Sequence, residues 1–115
     1  VKGMSAAAQV VRAGGSIVCA AECSDGVPEH GEYAKILAQS DSPQRLLEII
    51  CAPGHNRHDQ WEVQIQAQIQ QQAQVFLKSN GLSHDDVRAA HLLPIDDVES
   101  TVLEQLDHAG SKARL

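Results

Sequence analysis

The segment that most constrains the fold is "DQWEVQIQAQIQQQAQVFLKS", Asp59 to Ser79. From Trp61 to Gln70 it alternates apolar and polar residues strictly, the period of a half-buried strand. As a strand it would line one face with Trp61, Val63, Ile65, Ala67 and Ile69 and the other with Glu62, Gln64, Gln66, Gln68 and Gln70. As a helix it would carry Trp61, Ile65 and Ile69 on one stripe, with Val63 and Ala67 on the other side. Composition and size favour the helix. The fourteen residues from Gln60 to Ala73 contain no Gly or Pro, and Gln, Ala and Glu are helix formers that sheets tend to exclude. Asp59 with Glu62 makes a D-x-x-E start of the capping-box kind. A fourteen-residue strand at ~3.3 Å per residue would reach about 46 Å, whereas a domain of this size has a radius of gyration near ~13 Å. A helix of ~1.5 Å rise would be about 21 Å long.

The flanking runs supply a use for such a helix. "SIVCAA" (residues 16–21) is short and nearly all apolar, as expected of a strand buried on both faces, and "QVFLKS" (residues 74–79) is a second strand-like run. The helix then serves as the crossover joining two parallel strands. Upstream, "KGMSAAAQVVRAGG" predicts a helix closed by Arg12 and the Gly14-Gly15 pair. "ECSDGVPEHG" is a loop, followed by a helical stretch at 32–39 with Tyr33, Ile36 and Leu37 on one face. Ser42 as N-cap and Pro43 at the first position open another helix through Ile50, expected to pack on the sheet. Ser83 with Asp86 predicts a capping box for a short helix to about His91, and "LLPI" a third strand. Asp96 or Asp97 starts a last helix with Val98, Val102, Leu103 and Leu106 on one side. Residues 1–115 therefore read as one α/β domain: a small Rossmann-like open sheet of mostly parallel short strands flanked by helices, incomplete at both edges. A chain that opens inside a helix and stops at "KARL" reads as a domain fragment of a longer polypeptide, with open edges that favour self-association.

Composition removes several function classes. The net charge is −6, without a Lys/Arg run to offset it, which disfavours a phosphate backbone as partner. One Trp, one Tyr and one Phe do not make a base-stacking platform. No apolar run approaches the roughly 18 residues of a membrane span. Three cysteines, an odd number, argue against a disulfide framework and for a reducing cytoplasm. Neither nucleic acid nor membrane is expected as a partner.

The candidate chemistry is sparse. His55 and His58 are three apart, but a metal site needs three or four ligands and Arg57 between them opposes a cation, so loop histidines are the preferred reading. Cys19 and Cys23 lack the C-x-x-C redox spacing and read as inert thiols. Glu22, Ser24, Asp25, Glu29 and His30 occupy the loop after the first strand, where open α/β sheets place ligands. By physics alone Lys2 reads as a surface charge and Trp61 as core. A non-catalytic module binding a partner through its glutamine-rich helix is the alternative to an enzyme.

The order of "KGMSAAAQVVRAGGSIVCAAECSDGVPEHGEY", "HDQWEVQIQAQIQQQAQVFLKSNGLS" and "LLPIDDVESTVLEQL" resembles the C-terminal domain of the nickel-dependent lactate racemase family (LarA-like proteins). The resemblance spans nearly the whole chain. It rests on the K-G-x-x-x-A helix leading to G-G-x-I, the A-E-C-x-x-G loop, and the D-Q-W helix followed by a V-x-L-x-S strand. It implies two α/β domains with a shared cleft. A nickel-pincer nucleotide is bound mainly by the N-terminal domain, which also supplies the nickel-ligating histidine and the acid/base histidines. It further implies that a small 2-hydroxy acid is racemised by passing a hydride from its α-carbon to the cofactor and back. The resemblance assigns no catalytic, cofactor or metal role to residues of this chain, and the chain alone is not expected to be active. Two substrate-binding residues carry over by motif. Lys2 matches the lysine of a Q-x-x-K sequence and would hold the substrate carboxylate; Trp61 matches a cleft tryptophan and would wall the site against water.

Overall fold

The computed structural model describes residues 1–27 and 31–115. Helix α1 (Lys2–Ala8) leads to strand β1 (Ser16–Ala20). Helices α2 (Tyr33–Leu37), α3 (Pro43–Ile50) and α4 (Gln60–Gln72) follow, and then β2 (Gln74–Lys78). Helix α5 (His84–Ala89), β3 (Leu93–Pro94), α6 (Val98–Ala109) and a single 3-10 turn, Gly110–Lys112, complete the chain. The sheet has order β1-β2-β3 and both pairings are parallel. Ser16 lies opposite Gln74 and Ala20 opposite Lys78, while Phe76 faces Leu93 and Leu77 faces Pro94. The fold is the expected α/β class, an open parallel sheet with flanking helices.

The apparent strand from Trp61 to Gln70 is helical, and its alternation has a physical cause. Helix α4 is packed on both flanks. Val63 and Ala67 close one core with Ile36, Leu37, Leu46 and Ile50 of α2 and α3. Ile69, with Ala73 beyond it, closes the other core with Met4 of α1, Ile17 of β1 and Val75 of β2; Ile65 packs at its margin. Two apolar stripes on opposite sides of a helix produce a sequence that mimics period two.

Several local expectations are corrected. Helix α1 stops at Ala8, not near Arg12, because the β-branched pair Val10-Val11 turns out of it and the Gln72 amide caps the Val11 carbonyl at 3.0 Å. Strand β1 is not buried on both faces: Ile17 is buried, Val18 and Cys19 are half-buried and Ala20 is exposed. It is an edge strand, and α6 rests against it through a Ser16 hydroxyl donating to Gln105 Oε1 at 2.8 Å. Helix α3, capped by Ser42 as expected, packs on α4 rather than on the sheet, since α4 stands between them. The capping box of Ser83 and Asp86 is formed, and Asp97 caps α6 by accepting from the Ser100 N–H at 2.8 Å. On α6, however, Thr101 is buried and Leu103 is 59% exposed, so the apolar face is rotated from the one expected.

The glutamines of α4 hold backbone. Gln66 accepts from the Tyr33 hydroxyl and donates to the Ala90 carbonyl at 2.6 Å. Gln70 donates to the His91 carbonyl, and His91, left-handed at φ 62°, reaches the Leu37 carbonyl with Nε2 at 2.9 Å. These bonds fasten the α5–β3 connection to α4.

Candidate functional site

The segment entering β1 is tied to the end of α4 and the start of β2: Gly14 donates its N–H to the Gln72 carbonyl at 2.8 Å, and the Gln74 N–H reaches the Gly15 carbonyl at 3.0 Å. Helix α4 ends where β2 begins, whereas α1 ends at Ala8, ahead of β1, and packs beside α4. The N-terminal turn of α4 therefore stands at the opposite end of the sheet, beside the carboxyl ends of the strands. Open parallel sheets bind ligands at that end. Lys2 is the first residue of α1 and Trp61 lies in the first turn of α4. Both side chains are exposed. The expectation of a core Trp61 is overturned by its 57% exposure, which physics requires to be either tolerated or used.

The loop leaving β1 is built into the same end. Ala21 donates to the Lys78 carbonyl at 3.0 Å, Gly81 to the Glu22 carbonyl at 2.9 Å, and the Ser79 hydroxyl to that same Glu22 carbonyl at 2.9 Å. Cys23 has a left-handed backbone, φ 50°, and Gly26 closes a turn onto its carbonyl at 2.9 Å. A Cβ at Gly81 would collide with the carbonyls of Glu22 and Cys23, so the Asn80-Gly81 pair is more than a turn: it admits a close approach of two strand exits. Ser24 and Asp25 are exposed on this loop. Glu29 and His30, offered by sequence as further polar groups, lie outside the described residues.

The entry to α4 departs from its expected capping. Asp59 is left-handed, φ 66°, and makes no side-chain cap bond. Its Oδ2 instead accepts from the Glu32 N–H at 3.2 Å, while Glu32 pairs with Lys35 and Arg57, each at 3.0 Å. Lys35 first and Arg57 second hold the Glu32 carboxyl below its ordinary range. His55 and His58 have separate partners, Gln60 Oε1 at 2.9 Å and Asp59 Oδ1 at 3.2 Å. Cys19 and Cys23 are free thiols, and burial pushes Cys19 up. Sequence reasoning missed Gly31 and Gly81 and gave Asp59 a capping role it does not play, because positive-φ non-glycine residues and close backbone approaches leave no periodic signal.

Several of the α4 glutamines are already spent on this chain's own backbone and loops. Gln66, Gln70 and Gln72 are engaged with backbone carbonyls and Gln60 with the 55–57 loop. Among the described residues no helix is long and apolar enough to cross a membrane.

Comparison with known proteins gives a single answer. A family model described as the lactate racemase C-terminal domain matches residues 1–115. A lactate racemase from Thermoanaerobacterium thermosaccharolyticum is 33% identical over 100 residues, covering 85% of this chain and 23% of that protein. The solved structure of the lactate racemase apoprotein from the same organism matches with a TM-score of 0.81 at 27% identity, covering 96% of this chain and 27% of that one. The chain thus spans about a quarter of the length of the relatives it matches. With the whole of it accounted for by one model and one fold, the chain belongs to the lactate racemase C-terminal domain family.

Proposed function

We propose that residues 1–115 form the substrate-side domain of a LarA-like 2-hydroxy acid racemase or epimerase, working in a cleft shared with an N-terminal domain of the same polypeptide. The observation that carries this reading is the match of the whole chain to the lactate racemase C-terminal domain, which leaves Lys2 and Trp61 exposed on the first turns of α1 and α4, two helices that pack together. An ammonium there is a compact point charge suited to a carboxylate. A large exposed indole on the first turn of α4 suits the exclusion of water from the reacting carbon once the second domain closes over it. Three free cysteines suit a reducing cytoplasm.

The resemblance implies a nickel-pincer nucleotide in the parent protein. Among the described residues no three His, Cys, Asp or Glu side chains are grouped to hold a metal, and His55 and His58 are turned to different partners. These residues do not fit the group, which the resemblance places on the N-terminal domain. What this chain contributes is binding, orientation and dryness.

The test is kinetic. In the full-length protein carrying this domain, Lys2→Ala should lower kcat/KM for the 2-hydroxy acid by about 2–3 kcal/mol of lost charge-assisted binding. Lys2→Arg, with a larger planar head, should restore only part of it. Kinetics unaltered by Lys2→Ala would remove the carboxylate-holding role.

A further inference from the structure

The entry to α4 is fastened by contacts that the substrate-binding role does not use. Asp59 spends its carboxylate across space rather than on its own helix: Oδ2 accepts from the Glu32 N–H at 3.2 Å and fills the place where a Cβ on Gly31 would stand. Glu32 answers in the other direction, its Oε2 taking Arg57 Nη1 at 3.0 Å and its Oε1 taking Lys35 at 3.0 Å. The start of α2 and the start of α4 are thus joined by two reciprocal links, one from each carboxylate. One turn further along, the Tyr33 hydroxyl bonds Gln66 and keeps the two helices in the same relation. Gly31, at φ 101° and with no Cβ, is what lets the Asp59 side chain come this close.

Trp61 follows two residues after Asp59. It is 57% exposed, so packing does little to fix it, and the direction of the indole is set by where the first turn of α4 is held. We infer that Asp59 is a positioning residue: by locking the entry of α4 onto the Gly31-Glu32 segment it sets the angle at which Trp61 walls the substrate cleft. This rests on the cleft role proposed above for Trp61, and the experiment separates the two.

Asp59→Gly deletes the carboxylate while keeping access to positive φ. Asp59→Asn keeps both a tolerated left-handed backbone and an acceptor for the Glu32 N–H. Trp61 is the sole tryptophan of the 115-residue chain, so its fluorescence reads the lock without any catalysis. Asp59→Gly should roughly double the acrylamide quenching constant and lower the anisotropy, with far-UV circular dichroism retained, and Asp59→Asn should return both to wild-type values. Wild-type quenching and anisotropy in Asp59→Gly overturn the inference. Should that variant lose its helical signal, Gly31→Ala, whose Cβ would displace the Asp59 carboxylate from the same contact, is read by the same two measurements, and no change there overturns it equally.

Activity then tests the consequence. In the full-length racemase carrying this domain, Trp61→Phe and Asp59→Gly should each lower kcat by about tenfold. The double variant should lose no more than Trp61→Phe alone, because both act through one indole. Losses that multiply overturn the positioning role. Unchanged kinetics in Trp61→Phe overturn instead the cleft role of Trp61, while the fluorescence still decides whether the lock exists.

Discussion

Gln66 has no exposed surface, and an amide is tolerated there because both of its ends are used, by the Tyr33 hydroxyl and the Ala90 carbonyl. Removing one partner of such a pair strands the other without water. The pair also titrates. Burial, reinforced by the Glu62 carboxylate, pushes the Tyr33 hydroxyl from 10 up to about 12. The folded state therefore holds this proton more tightly than the unfolded chain does. Its contribution is fully present below about pH 10 and is lost as pH rises through the folded value. At ~1.4 kcal/mol per pH unit, the whole interval corresponds to about 3 kcal/mol. Urea midpoints at pH 9 and at pH 11.5 should fall more steeply in wild type than in Tyr33→Phe; parallel falls would show that Tyr33 is not the group responsible. Sequence shows Tyr33 on the inner face of α2, and that is where it lies. It does not show its partner, because the two residues are 33 apart and the partner is a glutamine in a run of glutamines. Lys2 and Trp61 are similar in kind. The roles proposed for them rest on resemblance, to which the structure adds their exposed places on the first turns of α1 and α4.

At the level of elements, helix propensity and chain reach decided correctly where periodicity did not. Ser42, Ser83 and Asp97 act as the caps their sequences advertise. Asp59 does not, since the Glu32 N–H competes for its carboxylate and wins. Reading α4 as doubly packed makes a sharp prediction. Val63→Ala and Ile69→Ala should each destabilise, by ~1–3 and ~2–4 kcal/mol, whereas Gln68→Ala, on the exposed strip, should stay within ~0.5 kcal/mol. Double-mutant cycles carry the geometry. Val63 should couple with Leu46 in one core and Ile69 with Met4 in the other, each by ~0.5–1 kcal/mol, while the crossed pairs add within ~0.5 kcal/mol. Coupling of Val63 to Met4 as strong as that of Ile69 would mean that the two stripes share one face, as in a strand, and would sink the assignment.

At the level of the molecule, the open sheet governs how the chain behaves by itself. Among the described residues strand β1 pairs only with β2, through the carbonyl of Gly15 and the N–H of Ala21 at its two ends. By the alternation of a parallel ladder, the odd-numbered residues of β1 face β2 and the backbone groups of Val18 and Ala20 face outward. The strand reads "SIVCA", with no lysine, proline or bulge to discourage pairing, the devices by which edges are usually blunted. Helix α6 leans on this strand near Ser16, but Ala20 at its far end is exposed. A second copy offers the same uncharged ribbon, and two such edges can pair antiparallel about a twofold axis, each satisfying the other. The net charge of −6 opposes association, so pairing should strengthen as salt screens it. Sedimentation equilibrium of the isolated chain should show a monomer–dimer equilibrium shifted toward dimer at high salt, and Ala20→Lys should shift it back without altering the thermal midpoint. A chain that stays monomeric at high salt and high concentration, with the Val18 and Ala20 amides exchanging at an unchanged rate, would show that the edge is guarded by something other than charge.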